Sequence, residues 1–175
     1  MGETLGSPTV SMKLQRIAQQ AQRYPAMVFN NVFHLIDRDF LLEAYRLTRK
    51  HSAPGVDQVT ATQYAEHLDD NLRDLHERLR ANRYGAPPVE RVWIEQDDGK
   101  KRPLGKPCFE DKSAQRAVVM ILEAIFEPDV HAFSHGCRKG HSPQQALHAL
   151  REQCRTLHIN WRVDADVSGC FDSTC

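Results

Sequence analysis

The reading of this chain turns on WRVDADVSGCFDSTC, residues 161–175, where Asp164, Asp166 and Asp172 crowd into a short span behind an apolar stretch. The pattern from Asn160 to Val167 predicts a β-strand. Side chains alternate along a strand, so Asp164 and Asp166 would point to one face. Two carboxylates held that closely repel each other unless they lie in water or a divalent cation with oxygen ligands neutralises them. Spacing alone leaves both readings open.

Working back from that strand, the pattern stays mixed. PQQALHALREQCRTL (143–157) predicts a helix opened by Ser142 as N-cap and Pro143 at the first helical position. It follows a Gly-rich basic loop, HAFSHGCRKGHS (131–142). EDKSAQRAVVMILEAIFEP (110–128) reads as a strongly apolar helix with acidic residues at its start and Pro128 at its end, and is expected to be the most buried helix. In PPVERVWIEQDDGKKRPL (87–104), Val89, Val92 and Ile94 are strand formers and Asp98-Gly99 is a hairpin turn dipeptide. Lys100 and Arg102, two apart on the return strand, share a face and would offer phosphate oxygens a point charge and a planar fork. Lys100, Lys101 and Arg102 would equally suit the solvated side of an exposed ribbon.

Upstream, ATQYAEHLDDNLRDLHERLRANRY (61–84) predicts a helix capped by Thr60, with Tyr64, Leu68, Leu72, Leu75 and Leu79 on one face and charge on the other. SAPGVD (52–57) is a turn. Val28 to Lys50 carries a helical apolar pattern with Asp37 or Asp39 as N-cap at a break, and KLQRIAQQAQRY (13–24) a further helix stopped by Pro25. Residues 1–10 are expected to form a disordered tail. The whole is an α/β (α+β) chain.

Composition sets limits. The 175 residues suffice for one domain, and 23 basic residues balance 23 acidic ones, so any attraction to nucleic acid must be local. No stretch approaches the ~18–20 apolar residues of a membrane span. The first fifteen residues carry no charged-then-apolar signal pattern, and Cys108, Cys137, Cys154, Cys170 and Cys175 form no CxxC pair. These features predict a cytoplasmic protein with no membrane partner and no zinc site.

Four segments in this order, SAPGVDQVT, RVWIEQDDGKKRPLGKPCFEDKSAQRAV, FSHGCRKGHSPQQAL and DADVSGCFD, together resemble group II intron reverse transcriptases, or maturases. The resemblance covers about Tyr45 to Asp172. It implies the fingers and the beginning of the palm of a right-hand polymerase fold: a helical extension and start of the fingers over 11–84, fingers with the hairpin over 85–157, and a first palm strand over 158–175. It further implies that Asp166 is a catalytic, Mg²⁺-binding aspartate with the carbonyl of Val167 beside it. Lys100 and Arg102 would meet the triphosphate, and Phe171 would lie against the sugar of an incoming deoxynucleotide. The implied partners are group II intron RNA, a template-primer and a deoxynucleoside triphosphate.

Arg138 and Lys139 in the basic loop, Arg116 on the apolar helix, and the cluster Arg78, Arg80 and Arg83 are candidate RNA contacts through phosphates. Plain surface charge accounts equally well for Arg116, Arg138 and Lys139, and for Arg78, Arg80 and Arg83 a solvated helix face comes first and RNA binding second. Two positions depart from the family pattern: Gln58 stands where Gly is more usual, and Lys106 where an apolar residue is. The second palm motif, Tyr-any residue-Asp-Asp, is absent from these 175 residues, since Asp69-Asp70 and Asp97-Asp98 precede the first palm strand. A truncated reading frame and a catalytically inactive chain are therefore expected. The alternatives are a non-catalytic RNA-binding splicing module and an inactive remnant.

Overall fold

The computed structural model describes residues 8–95, 99, 101–159, 161, 163–165 and 167. The chain divides between Asp129 and Val130 into two compact units.

The first unit is built on helices. α1 spans Pro8–Arg23, α2 Arg38–Leu47, α3 Ala61–Glu66, α4 Leu68–Arg80 and α5 Phe109–Phe126. α1 starts inside the stretch expected to be a disordered tail, because Val10 is an anchor of the core, only 1% exposed. The pattern from Val28 to Lys50 splits into a 3₁₀ turn, Phe33–Leu35, and α2, whose start is fixed by the Asp37 carboxylate accepting from the Phe40 N–H at 3.0 Å. Lys13 of α1 pairs with the same carboxylate. That carboxylate lies below its usual range: burial works against this, and the bonds from Lys13 and the Phe40 N–H outweigh it.

The segment expected as one helix from Ala61 to Tyr84 is two. Thr60 and Gln63 form a capping box for α3, and the chain breaks at His67 before α4. The Tyr64 carbonyl near the break accepts from the Asn71 side-chain amide at 2.9 Å, so the interruption leaves that acceptor satisfied. Phe40, Leu41, Leu72, Leu75 and Phe109 are fully buried in one core with Ala114, Ala117, Met120 and Ile121 of α5. Each large side chain there contributes about 1.5–3 kcal/mol of burial. α5 supplies more buried residues than any other described helix, as its composition predicts, yet Val118, Val119, Leu122 and Phe126 on its other side are exposed.

The Pro54-Gly55 turn is locked onto the start of α5. A Cβ on Gly55 would sit 2.6 Å from the Cys108 amide nitrogen, and Lys112 donates to the Ser52 hydroxyl at 3.1 Å and the Ala53 carbonyl at 2.6 Å. Gln58 adopts φ +55°, the left-handed conformation that a glycine takes without strain, and its side-chain amide donates to the Gly55 carbonyl at 3.1 Å.

β1, Glu90–Glu95, and β2, Lys101–Lys106, form the expected antiparallel hairpin, with Gly99 at φ +77° in the turn. In the second unit, α6 runs Pro143–Thr156, with Ser142 accepting from the Gln145 N–H at 3.3 Å and Pro143 in the first turn. Of the strand expected from Asn160 to Val167, the described residues Trp161, Val163, Asp164, Ala165 and Val167 have no regular structure, and Asn160, Arg162 and Asp166 lie outside the described residues. A strand needs a neighbour to pair its amides and carbonyls, and the described residues supply none to this segment. Trp161 and Val163 are 89% and 91% exposed.

Candidate nucleic-acid interface

The hairpin is an exposed ribbon whose register sorts its residues onto two faces. Glu90 lies opposite Lys106, Val92 opposite Leu104 and Ile94 opposite Arg102, so these six share one face. Arg91, Trp93, Glu95, Lys101, Pro103 and Gly105 share the other. Arg102 is exposed at the turn end of an otherwise apolar strip of Val92, Ile94 and Leu104. Lys106, the residue that departs from the family pattern, forms an ion pair with Glu90 at 2.9 Å across the strands. Its aliphatic stem can cover the strip while the ammonium is paired. Lys100 lies outside the described residues. Arg91 and Trp93 were not singled out from the sequence; the signal that finds them is the turn at Asp98-Gly99, which fixes which residues share a face.

The basic cluster at the end of α4 separates into different roles. Arg78 is held: its guanidinium donates to Asp74 and to Glu110 of α5, each at 2.7 Å, and lies over the Tyr84 ring at 5.6 Å. Burial works against its charge, but the bonds to Glu110 and Asp74 hold it protonated more firmly than usual. Tyr84 donates to the buried Asp111 carboxylate at 2.8 Å; burial and that bond push its phenol well above its ordinary range. The helix then ends in a Schellman-type turn. Asn82 takes φ +53°, with its N–H bonded to the Leu79 carbonyl and the Arg83 N–H to the Arg78 carbonyl. Arg80 and Arg83 are exposed there, where cations also suit the negative end of the helix dipole.

Arg116 is half-buried and pairs with Glu123 at 3.5 Å. In the second unit, Arg138 donates to the carbonyls of His131 and Ser134, at 3.1 and 2.7 Å, and so staples the loop that carries it. Lys139 is exposed on that loop, next to Gly140 at φ +78°.

Asp166 and Phe171 lie outside the described residues, and Val167 is exposed. Mg²⁺ needs several oxygen ligands. Among the described residues no three His, Cys, Asp or Glu side chains come together to hold a metal ion. The donors described near the expected position are the exposed Asp164 and the backbone of Val167. No described helix is long and apolar enough to cross a membrane.

No protein-family model matches the chain. Individual proteins do. It is 32% identical over 171 residues to protein YkfC of Escherichia coli, covering 94% of this chain and 45% of that protein. It is 33% identical over 171 residues to the group II intron-encoded protein LtrA of Lactococcus lactis, covering 95% of this chain and 28% of LtrA. A 91 kDa protein in the cob intron of Schizosaccharomyces pombe is 30% identical over 174 residues, covering 95% of this chain and 21% of that protein. The chain thus spans less than half the length of these relatives. The chain is homologous along nearly all of its own length to a group II intron-encoded protein, and over about half of it, at 25% identity, to a mitochondrial nuclear intron maturase of Arabidopsis thaliana.

Proposed function

We propose that the chain forms the fingers and the first palm segment of an RNA-directed DNA polymerase that binds group II intron RNA. The observation that carries this is the match to LtrA over 95% of the chain. The exposed hairpin supports it, because Arg102 stands unpaired among the described residues, at the position from which the resemblance has it reach a triphosphate.

The parent reaction is attack of a primer 3′-hydroxyl on the α-phosphate of a deoxynucleoside triphosphate: one P–O bond forms, the α–β bridge breaks and pyrophosphate leaves. Mg²⁺, held by Asp166 and the Val167 carbonyl, would supply charge stabilisation at the reacting oxygens. Arg102 would fork two phosphate oxygens and stabilise charge developing on them, with Lys100 assisting as a point charge. Phe171 would lie against the sugar, where a ring excludes a 2′-hydroxyl. Arg80, Arg83, Arg116, Arg138 and Lys139 would add salt-dependent contacts to RNA phosphates.

Because no Tyr-any residue-Asp-Asp segment occurs in these 175 residues, the chain alone is expected to bind intron RNA without extending a primer. Two measurements on the purified chain test this: filter binding to intron RNA over a salt series, and template-primer extension with Mg²⁺. Salt-sensitive binding weakened by Arg80→Ala with Arg83→Ala, with no extension, agrees with the proposal. Template-dependent incorporation abolished by Asp166→Ala would show that the chain is a polymerase by itself, and equal affinity for any polyanion would argue against an intron-binding role.

A further inference from the structure

We infer that the second face of the hairpin, carrying Arg91, Trp93 and Lys101, is a platform on which one base of a single-stranded nucleic acid stacks while the two cations hold its phosphates. This rests on the proposed nucleic-acid role of the chain and adds to it a contact on the opposite side of the ribbon from Arg102.

Trp93 is 54% exposed in the middle of β1. Its cross-strand partner is Pro103 and the next residue on that face of β2 is Gly105, so no long side chain from the partner strand covers the indole. Arg91 lies two residues along the same strand, about 7 Å away at the usual rise. Lys101 lies diagonally across the ladder, at a separation of about 7–8 Å. The indole is therefore flanked by a cation on each side. Both cations are exposed, and among the described residues neither forms an ion pair. Glu95, directly opposite Lys101, is the one carboxylate among the described residues of this face, set against two cations.

An aromatic face between cations matches stacked bases joined by phosphates, and it tolerates any base because every base has a π-face. A protein partner is a poorer fit. Protein interfaces exclude charge from their centres, and of the exposed apolar neighbours only Val89, against Gly105, is on this face, whereas Ile94 and Leu104 point the other way together with Val92. A duplex is also a poorer fit, since its bases are already stacked on one another and present edges rather than faces.

The chain contains two tryptophans, so Trp161→Phe leaves Trp93 as the only one, and its fluorescence reports directly on the platform. Titration of that variant with a short oligouridylate is expected to quench the emission to saturation, with far weaker quenching by a duplex of equal length. Trp93→Leu, followed by gel shift, should weaken single-strand binding about 5- to 150-fold, the range one base stack is worth, and Trp93→Phe should recover most of it. Arg91→Ala with Lys101→Ala should lower the slope of log affinity against log salt by about 1.4, or about 0.7 for each lost contact. Circular dichroism confirms that each variant is folded. RNA binding that persists by gel shift with Trp93 emission unchanged, or equal quenching by the duplex, overturns the platform and leaves the proposed function standing. Loss of all RNA binding in the unmodified chain overturns both.

Discussion

Replacing Arg78 by alanine should destabilise the first unit rather than act as simple loss of an RNA contact. The Glu110 pair joins α4 to α5, with the two side chains 30% and 22% exposed. Charged hydrogen bonds contribute about 1.5–3 kcal/mol when buried, and exposed pairs about 0.2–1. This pair lies between, near 1–1.5 kcal/mol by those limits. The i,i+4 bond to Asp74, whose side chain is 65% exposed, adds about 0.3–0.5 kcal/mol. The guanidinium over Tyr84 adds about 0.5–1 kcal/mol. Since these contacts share one group and are not additive, a total near 2 kcal/mol is expected. For a chain of this size that is a fall in Tm of about 4–8 °C, read by far-ultraviolet circular dichroism. Arg80→Ala and Arg83→Ala, at exposed positions, should each change stability by less than about 0.5 kcal/mol while reducing the salt slope of RNA binding. A double-mutant cycle of Arg78→Ala with Glu110→Gln should return a coupling of about 1 kcal/mol. If Arg78→Ala melts with the parent chain and weakens RNA binding just as Arg80→Ala does, the assignment of Arg78 to the α4–α5 contact is wrong.

Gly55→Ala should cost about 1–3 kcal/mol or more, because the added methyl meets backbone atoms of Pro107 and Cys108 at 2.6–2.8 Å; an unchanged Tm would mean that the turn does not dock on α5. Gln58→Gly should be neutral or stabilising by up to about 1 kcal/mol, since relief of the left-handed strain outweighs the entropy and the side-chain bond lost, whereas Gln58→Val should destabilise by about 1–2 kcal/mol. Equal melting of the two variants would contradict the φ at this position. The lowered Asp37 carboxylate gives stability that is complete above its usual value of 3.8 and lost as pH falls through the lower folded value. Asp37→Asn, which can still cap α2, should therefore flatten the acid limb of stability below about pH 4, and an acid limb of unchanged steepness counts against the Lys13–Asp37 pair.

Much of the fold was legible because the signals were local. Asp37, Thr60 and Ser142 each cap the helix expected of them, since an N-cap satisfies orphan amides within its own few residues. The hairpin likewise follows from Asp98-Gly99 between two strand-forming runs. What escaped notice depends on contacts distant in sequence. Val10 looks like part of a polar tail until the helical core is there to bury it, and Arg78 looks like one of three equivalent arginines until Glu110, 32 residues away, is brought beside it. The break at His67 carries no proline or glycine.

The hairpin and the carboxylate segment were legible to different degrees. Lys100 and Arg102 were singled out because phosphate binding draws attention to charge, and the same preference passed over Trp93, whose exposed indole looks like a core residue in a one-dimensional pattern. Register corrects this. Once Ile94 is set opposite Arg102, parity alone puts Trp93 on the other side with Arg91 and Lys101. The carboxylate segment has no such lever, because a strand's alternation has meaning only when a neighbour fixes its faces, and the described part of 160–167 pairs with nothing. The shared face expected of Asp164 and Asp166 thus depends on a pairing partner, whereas the two faces of the hairpin are fixed within the chain itself.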